Sequence, residues 1–161
     1  MPREIERKFL VNGDAWRAQA HRSVRMTQGY LASGGRVSVR VRLAGAEARL
    51  NLKSGGLVAS RQEYEYPIPV DEAGELLALA DGPLIDKTRH LVEHGRKTWE
   101  VDEFHGANTG LVVAEIELTR EDEQFASPPW LGAEVTLLER YYNVCLVSHP
   151  YCAWTEAERA P

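Results

Sequence analysis

The sequence predicts an α+β protein that is mainly β: an eight-stranded antiparallel β-barrel closed into a tunnel with a charged interior and a few flanking helices. Three observations carry this expectation. Eight segments alternate apolar and polar residues with the period of two that a strand imposes. Short turns join most of them, which suits antiparallel neighbours, because a parallel crossover needs a dozen or more residues. In almost every segment the polar face is charged. Closing the sheet on that face removes exposed edges and encloses water, leaving the apolar face outside to be covered by helices or by a second copy of the chain.

The first strand spans 2–11, where Ile5 and Phe9 mark one side and Glu4, Glu6 and Lys8 the other. Asp14 is placed to cap a short helix through Trp16 to about Ala20. A strand over 24–31 leads through Ser33-Gly34-Gly35 into a hairpin partner over 36–43, where Val37, Val39 and Val41 alternate with Ser38, Arg40 and Arg42. Gly45 marks the turn into 48–53, where Leu50 and Leu52 oppose Arg49, Asn51 and Lys53. After the Ser54-Gly55-Gly56 loop, a strand over 62–68 sets Glu63 and Glu65 against Tyr64 and Tyr66 and ends at Pro67 and Pro69. Asp71 then caps a helix containing Leu76, Leu77 and Leu79, stopped by Gly82-Pro83. Strands over 85–93 and 97–104 flank a His94-Gly95 turn; Lys87 and Arg89 share a face of the first, Glu100 and Asp102 a face of the second. The last clear strand, 111–118, alternates Glu115 and Glu117 with Ala114, Ile116 and Leu118. Beyond a loop at Ser127-Pro128-Pro129, residues 136–147 place Leu138, Tyr142, Cys145 and Leu146 at helical spacing.

A chain of 161 residues with 43% hydrophobic and 27% charged content suits one cored domain, 1–161. Its net charge of -5 excludes general-surface nucleic-acid binding, which relies on basic stripes, so any anion must be met in a local basic pocket. Cys145 and Cys152 form no zinc-ligand spacing with the scattered histidines and read as reduced structural thiols. No run reaches the ~20 apolar residues of a membrane helix, and charge occupies the place of a signal peptide's apolar core. A soluble cytoplasmic protein is expected, with a homodimer possible.

Lys8, Arg40, Arg42, Lys53, Lys87 and Arg89 form a basic set suited to phosphate, with forked contacts from arginine and point charges from lysine. Any one such pair is ordinarily a solvated surface; their recurrence on matching faces is what singles them out. Glu4, Glu6, Glu63, Glu65, Glu115 and Glu117 form an acidic set, with Glu100 and Asp102 less firmly attached to it. Simple cross-strand neutralisation of the bases is the bland alternative, but inside a tunnel such pairs cost desolvation energy. Clustered carboxylates meet the demand of Mg²⁺ or Mn²⁺ for hard oxygen ligands, and cations beside them can neutralise a phosphate chain for attack by water.

A Glu-x-Glu-x-Lys triplet near the chain start (Glu4, Glu6, Lys8), followed by these charged pairs in order, resembles the CYTH superfamily, also called triphosphate tunnel metalloenzymes. The chain is similar to a small bacterial-type member, from Glu4 to about Pro150. The resemblance implies the same eight-stranded tunnel and a metal-dependent triphosphatase. In it Lys8, Arg40, Arg42, Lys53, Lys87 and Arg89 hold the triphosphate; Glu4, Glu6, Glu115 and Glu117 coordinate the metal; and Glu63 and Glu65 complete the metal and water shell. Glu4, Glu6, Lys8, Glu63 and Glu65 would carry catalysis, with water rather than a covalent nucleophile as attacker. Two departures stand out. Many members carry a lysine in a C-terminal plug helix, whereas no lysine follows Lys97 here, and Arg140 or the Tyr141-Tyr142 pair are the nearest substitutes. Cyclases of the superfamily carry a His-Phe element ahead of the triplet, and only Met1, Pro2 and Arg3 precede Glu4, which disfavours adenylate cyclase.

Inorganic triphosphate or a small organic triphosphate is therefore the expected substrate. Thiamine triphosphatase activity would need a ring platform, for which Trp99, Trp130 and Tyr142 are candidates, although packing is their ordinary role. A non-catalytic (poly)phosphate sensor would use the basic set alone, and the intact acidic set argues against it.

Overall fold

A computed structural model describes residues 3–56 and 59–161, so Met1 and Pro2 ahead of the triplet lie outside it. Nine strands form one antiparallel sheet: β1 Arg3–Val11, β2 Ala20–Ala32, β3 Val37–Ala44, β4 Glu47–Ser54, β5 Ser60–Ile68, β6 Ile85–His94, β7 Lys97–Phe104, β8 Val112–Glu117 and β9 Leu131–Glu134. Their order is β5-β4-β3-β2-β6-β7-β8-β1-β9, and a further β5–β1 pairing closes the first eight into a barrel. The seam is short: it joins Arg3 to Gln62, Glu4 to Arg61 and Ile5 to Ser60. Beyond Ile5 the edge of β1 is taken by β9 and the residue after it, with Phe9 opposite Glu134 and the Val135 amide donating to the Lys8 carbonyl at 2.8 Å.

Tight turns hold the hairpins in register. Ala44 faces Glu47 and His94 faces Lys97, each across two turn residues whose first is a glycine in the left-handed region, Gly45 at φ 59° and Gly95 at φ 62°. Register decides which side chains point inward, since a slip of one residue would exchange the two faces.

The outer face is apolar and covered piecewise. Ile5, Phe9, Trp99, Val101, Ala114 and Ile116 pack beneath Trp16, Phe125 and Trp130 from the segments that follow β1 and β8. Helix α1, Val70–Ala78, lays Ala73 and Leu77 over Val41 and Ala48. Tyr64 and Tyr66 on β5 stay partly exposed. The inward face is charged along most of its length and apolar at one end. There Ile85, Phe104, Leu111 and Val113 meet Val135, Tyr141, Leu146 and Trp154 of the C-terminal segment, which stops that end of the barrel.

The elements differ from expectation in four places. β2 begins at Ala20, which the sequence reading put in a helix; residues 15–19 form only a 3₁₀ turn, and Asp14 makes no side-chain cap. Asp71 lies in the first turn of α1, after the Pro69 cap position, where its charge suits the helix dipole without capping it. The helix expected over 136–147 is a 3₁₀ turn Glu139–Tyr141, a break at Tyr142, and helix α2, Asn143–Ser148. β9 was unforeseen, as was α3, Glu156–Arg159, which is capped by Thr155 in a reciprocal capping box with Glu158.

Gly29 in β2 lies against the end of α1 and the segment after it: a Cβ there would stand 2.8 Å from Ala80 Cβ, 2.9 Å from Leu84 Cδ2 and 3.1 Å from Leu77 Cδ2. Gly74, inside α1, has open space around it. Gly29→Val is expected to lower unfolding free energy by about 1–3 kcal/mol through overpacking. Gly74→Ala should raise it by about 0.5–1 kcal/mol. Urea denaturation of the two variants checks both signs.

Candidate active site

Alternation on eight closed strands turns the charged residues onto one cavity of about 900 Å³. Glu4, Glu6, Lys8, Arg40, Arg42, Lys53, Glu63, Glu65, Arg89, Glu115 and Glu117 all line it. Lys87 and Asp102 do not. Both are buried on the inward face beside the plug, with Lys87 opposite Phe104 and its Nζ 2.6 Å from Asp102.

Acid and base are distributed unevenly. On the β1–β8 wall, Glu6 stands opposite Glu117 and Lys8 opposite Glu115, whose carboxylate takes the Lys8 ammonium at 2.5 Å. Lys53 reaches across the β1–β5 seam to Glu4 at 2.7 Å. Asn51 donates to Glu63 and, at 3.3 Å, to Glu65, which also draws Arg42 at 3.5 Å and Arg49 at 3.4 Å. On the far wall Arg89 is gripped by Asp102 through Nε and Nη2, both at 2.8 Å, and by Glu100 at 2.5 Å. Arg40 has no carboxylate within ion-pair distance among the described residues, and its Nε is buried without a partner.

The proton affinities follow from this layout. Burial together with Glu115 and Glu4 pushes Glu6 up to about 7. Burial and the acids Glu4, Glu100 and Glu6 also raise Glu117. Glu115 is buried, yet Lys8, Arg89 and Lys87 hold it well below the usual carboxylate range. Lys8 is buried too, but Glu115 and Glu6 keep its ammonium above the ordinary lysine value. Burial and the Arg40 and Arg89 guanidinium groups lower Arg42, whereas Asp102 and Glu100 hold buried Arg89 well above the ordinary arginine value. Burial and Arg89 bring Lys87 down to about 8 despite Asp102, so it remains charged at neutral pH.

Asp102, attached to the acidic set by sequence, instead anchors Lys87 and Arg89 from a fully buried position. Arg61 also lines the cavity and was missed. Arg61 shares its face with Glu63 and Glu65, so starting that strand two residues earlier would have found it. Tyr142, named by sequence as a nearest substitute for the plug lysine and as a candidate ring platform, lines the cavity from a segment outside the barrel strands. Arg140 points away, donating to the Glu158 carbonyl at 2.8 Å, and does not substitute for a plug lysine. Trp99 and Trp130 are 0% and 2% exposed in the outer core and offer no platform to a ligand.

Among the described residues no three carboxylates, imidazoles or thiolates stand together as a ready-made metal cage. Glu4 and Glu115 are turned to Lys53 and Lys8. The donor set nevertheless fits a hard divalent cation: Glu6 directly opposes Glu117, and both carboxyls are raised, which is the signature of negative charge in excess of its local compensation.

A raised carboxyl makes a signed prediction. Glu6 binds a proton more tightly folded than unfolded, so its contribution to stability declines as pH rises from 4.5 through about 7. In chelator, Glu6→Gln should gain stability relative to wild type between pH 5 and pH 8, on the order of 2 kcal/mol, and added Mg²⁺ should erase the gain. Paired thermal melts at the two pH values check it.

A CYTH domain model matches residues 2–149. The chain is 47% identical to an inorganic triphosphatase of Acetivibrio thermocellus over 94% of this chain and 97% of that protein. It is 39% identical to an inorganic triphosphatase of Nitrosomonas europaea over 89% and 95%. The crystal structure of the inorganic triphosphatase NE1496 aligns with a TM-score of 0.65 at 35% identity, covering 89% of this chain and 93% of that one. An eight-stranded tunnel with this charged interior, matched by sequence over nearly its whole length, belongs to the CYTH domain family.

Proposed function

We propose that the protein hydrolyses a terminal phosphoanhydride of inorganic triphosphate, with water as the attacking group and Mg²⁺ or Mn²⁺ as cofactor. The observation that carries this reading is the pairing, in one cavity stopped at one end, of under-neutralised arginines (Arg40, Arg42) with an acid-rich wall (Glu6, Glu117). The names of the similar proteins point the same way.

Arg40, Arg42 and Arg89 hold the phosphate chain by forked contacts, and Lys8 and Lys53 add point charges. Lys87 reinforces them from behind Asp102. Glu4, Glu6, Glu115 and Glu117 would hold the divalent ion, with Glu115 and Glu4 placed beside Lys8 and Lys53. When bound, the ion neutralises phosphate oxygens and makes phosphorus more electrophilic. Glu63 and Glu65, held by Asn51 and, for Glu65, by Arg42 and Arg49, orient water.

Among the described residues two aromatic side chains, Tyr30 and Tyr142, reach the cavity, and both are buried, so neither offers an exposed ring for stacking a nucleobase or thiazolium. Inorganic triphosphate leaves no recognition requirement unmet. A phosphate-release panel with Mg²⁺, Mn²⁺ or chelator should give triphosphate faster than ATP, thiamine triphosphate or pyrophosphate, no turnover in chelator, and no cyclic AMP. Lys8→Ala should lose on the order of 10²-fold or more, the scale of a preorganised electrostatic group. Arg7→Ala should stay near wild type, since Arg7 lies outside the cavity lining and pairs with Glu134 at 2.5 Å. ATP preference, cyclic AMP, or exchanged phenotypes of the two variants would contradict the reading.

A further inference from the structure

One aromatic ring stands between two of the tunnel's cations. Tyr142 is 4% exposed, with the Lys8 ammonium 5.2 Å and the Arg61 guanidinium carbon 5.6 Å from its ring centroid. Its hydroxyl is already committed, donating to the Thr136 carbonyl at 2.7 Å. Thr136 in turn accepts the Lys8 backbone N–H on its hydroxyl oxygen at 3.0 Å. The ring is thus tied through one residue to the backbone of the lysine it faces. What it offers the tunnel is its π face.

A ring face attracts cations through its quadrupole, and more strongly when the contact is shielded from water. A carboxylate in the same place would hold the two side chains equally well, but it would neutralise them and compete with phosphate. The ring positions the charges without cancelling them. Arg61 benefits most: its nearest carboxylate, Glu4, is 3.9 Å away and is already bound by Lys53 at 2.7 Å. The Arg61 side chain is 9% exposed, so its charge is held inside the tunnel and left largely unspent.

We propose that Tyr142 is a positioning residue for Lys8 and Arg61, and that Arg61 is thereby a further phosphate-binding residue, where the C-terminal segment closes the tunnel. This rests on the triphosphate reading above and names how that site is completed without a C-terminal lysine. The ring does the holding and the guanidinium meets the phosphate.

The test is steady-state hydrolysis of inorganic triphosphate with Mg²⁺, together with calorimetric triphosphate binding and a thermal melt, for Tyr142→Phe, Tyr142→Leu, Arg61→Met and the Tyr142→Leu/Arg61→Met double variant. Tyr142→Phe keeps the ring and should stay within about twofold of wild type in KM. Tyr142→Leu and Arg61→Met should each raise KM and weaken binding about tenfold, with kcat changed less. The double variant should be little worse than Arg61→Met, because Lys8 keeps its Glu115 pair and Arg61 is the side chain that depends on the ring. Tyr142→Leu at wild-type KM, a Phe variant as poor as Leu, or losses that multiply in the double variant would overturn the proposal. Should Tyr142→Leu fail to fold, Arg61→Met with unchanged KM and affinity overturns it alone. A wild-type protein that neither binds nor hydrolyses triphosphate sinks the functional reading and this inference together, whereas an active wild type matched by Tyr142→Leu sinks the inference only.

Discussion

Charge enclosed by a closed sheet is the constraint on which the rest of this molecule depends. Removing ions from water costs several kcal/mol each unless partners and hydrogen bonds compensate, and a barrel offers the inward side chains nowhere else to go. The interior meets this by close pairing, Lys8 with Glu115, Lys53 with Glu4, and Asp102 with both Lys87 and Arg89. Pairing is incomplete in two places, at Arg40 with the neighbouring Arg42 and at the opposed Glu6 and Glu117. Those two surpluses have opposite sign. A polyanion bridged to a divalent cation is the kind of guest that satisfies both.

Closure has consequences outside the tunnel. With the polar face turned in, the apolar face must be covered from without, and the chain does this with Trp16, Phe125, Trp130 and α1 rather than with a second layer of sheet. The interior also has to end somewhere. The apolar plug of Tyr141, Leu146 and Trp154 against Ile85, Phe104 and Val113 stops one end, and Tyr142, next in the chain to that plug, is the point where it touches the charges. Stability and site geometry are therefore coupled through the C-terminal segment.

Period two made the barrel legible. Glu4, Glu6 and Lys8, Arg40 and Arg42, Glu63 and Glu65, and Glu115 and Glu117 all line the cavity that alternation placed them on, because a strand buried on both sides has no freedom to rotate its faces. What alternation cannot report is depth along the tunnel. Lys87 and Asp102 share the inward face, yet both lie buried beside the plug and bonded to one another, outside the cavity lining. Nor does periodicity reach the C-terminal segment. Leu138, Tyr142, Cys145 and Leu146 fall at helical spacing, but the chain breaks at Tyr142 in order to wrap the plug, and the spacing reflects tertiary packing rather than one helix. β9 is four residues long and owes its strand form to the free edge of β1 beyond Ile5.

The most direct test of the two-surplus account is a crystal structure of the protein with triphosphate and Mn²⁺, with the metal located by its anomalous scattering. Density for the ion on the wall of Glu6 and Glu117, with the phosphates against Arg40, Arg42 and Arg89, is the predicted result. Phosphates bound on the outer surface, or an ion lodged away from the β1–β8 wall while the tunnel charges keep their mutual pairs, would contradict it.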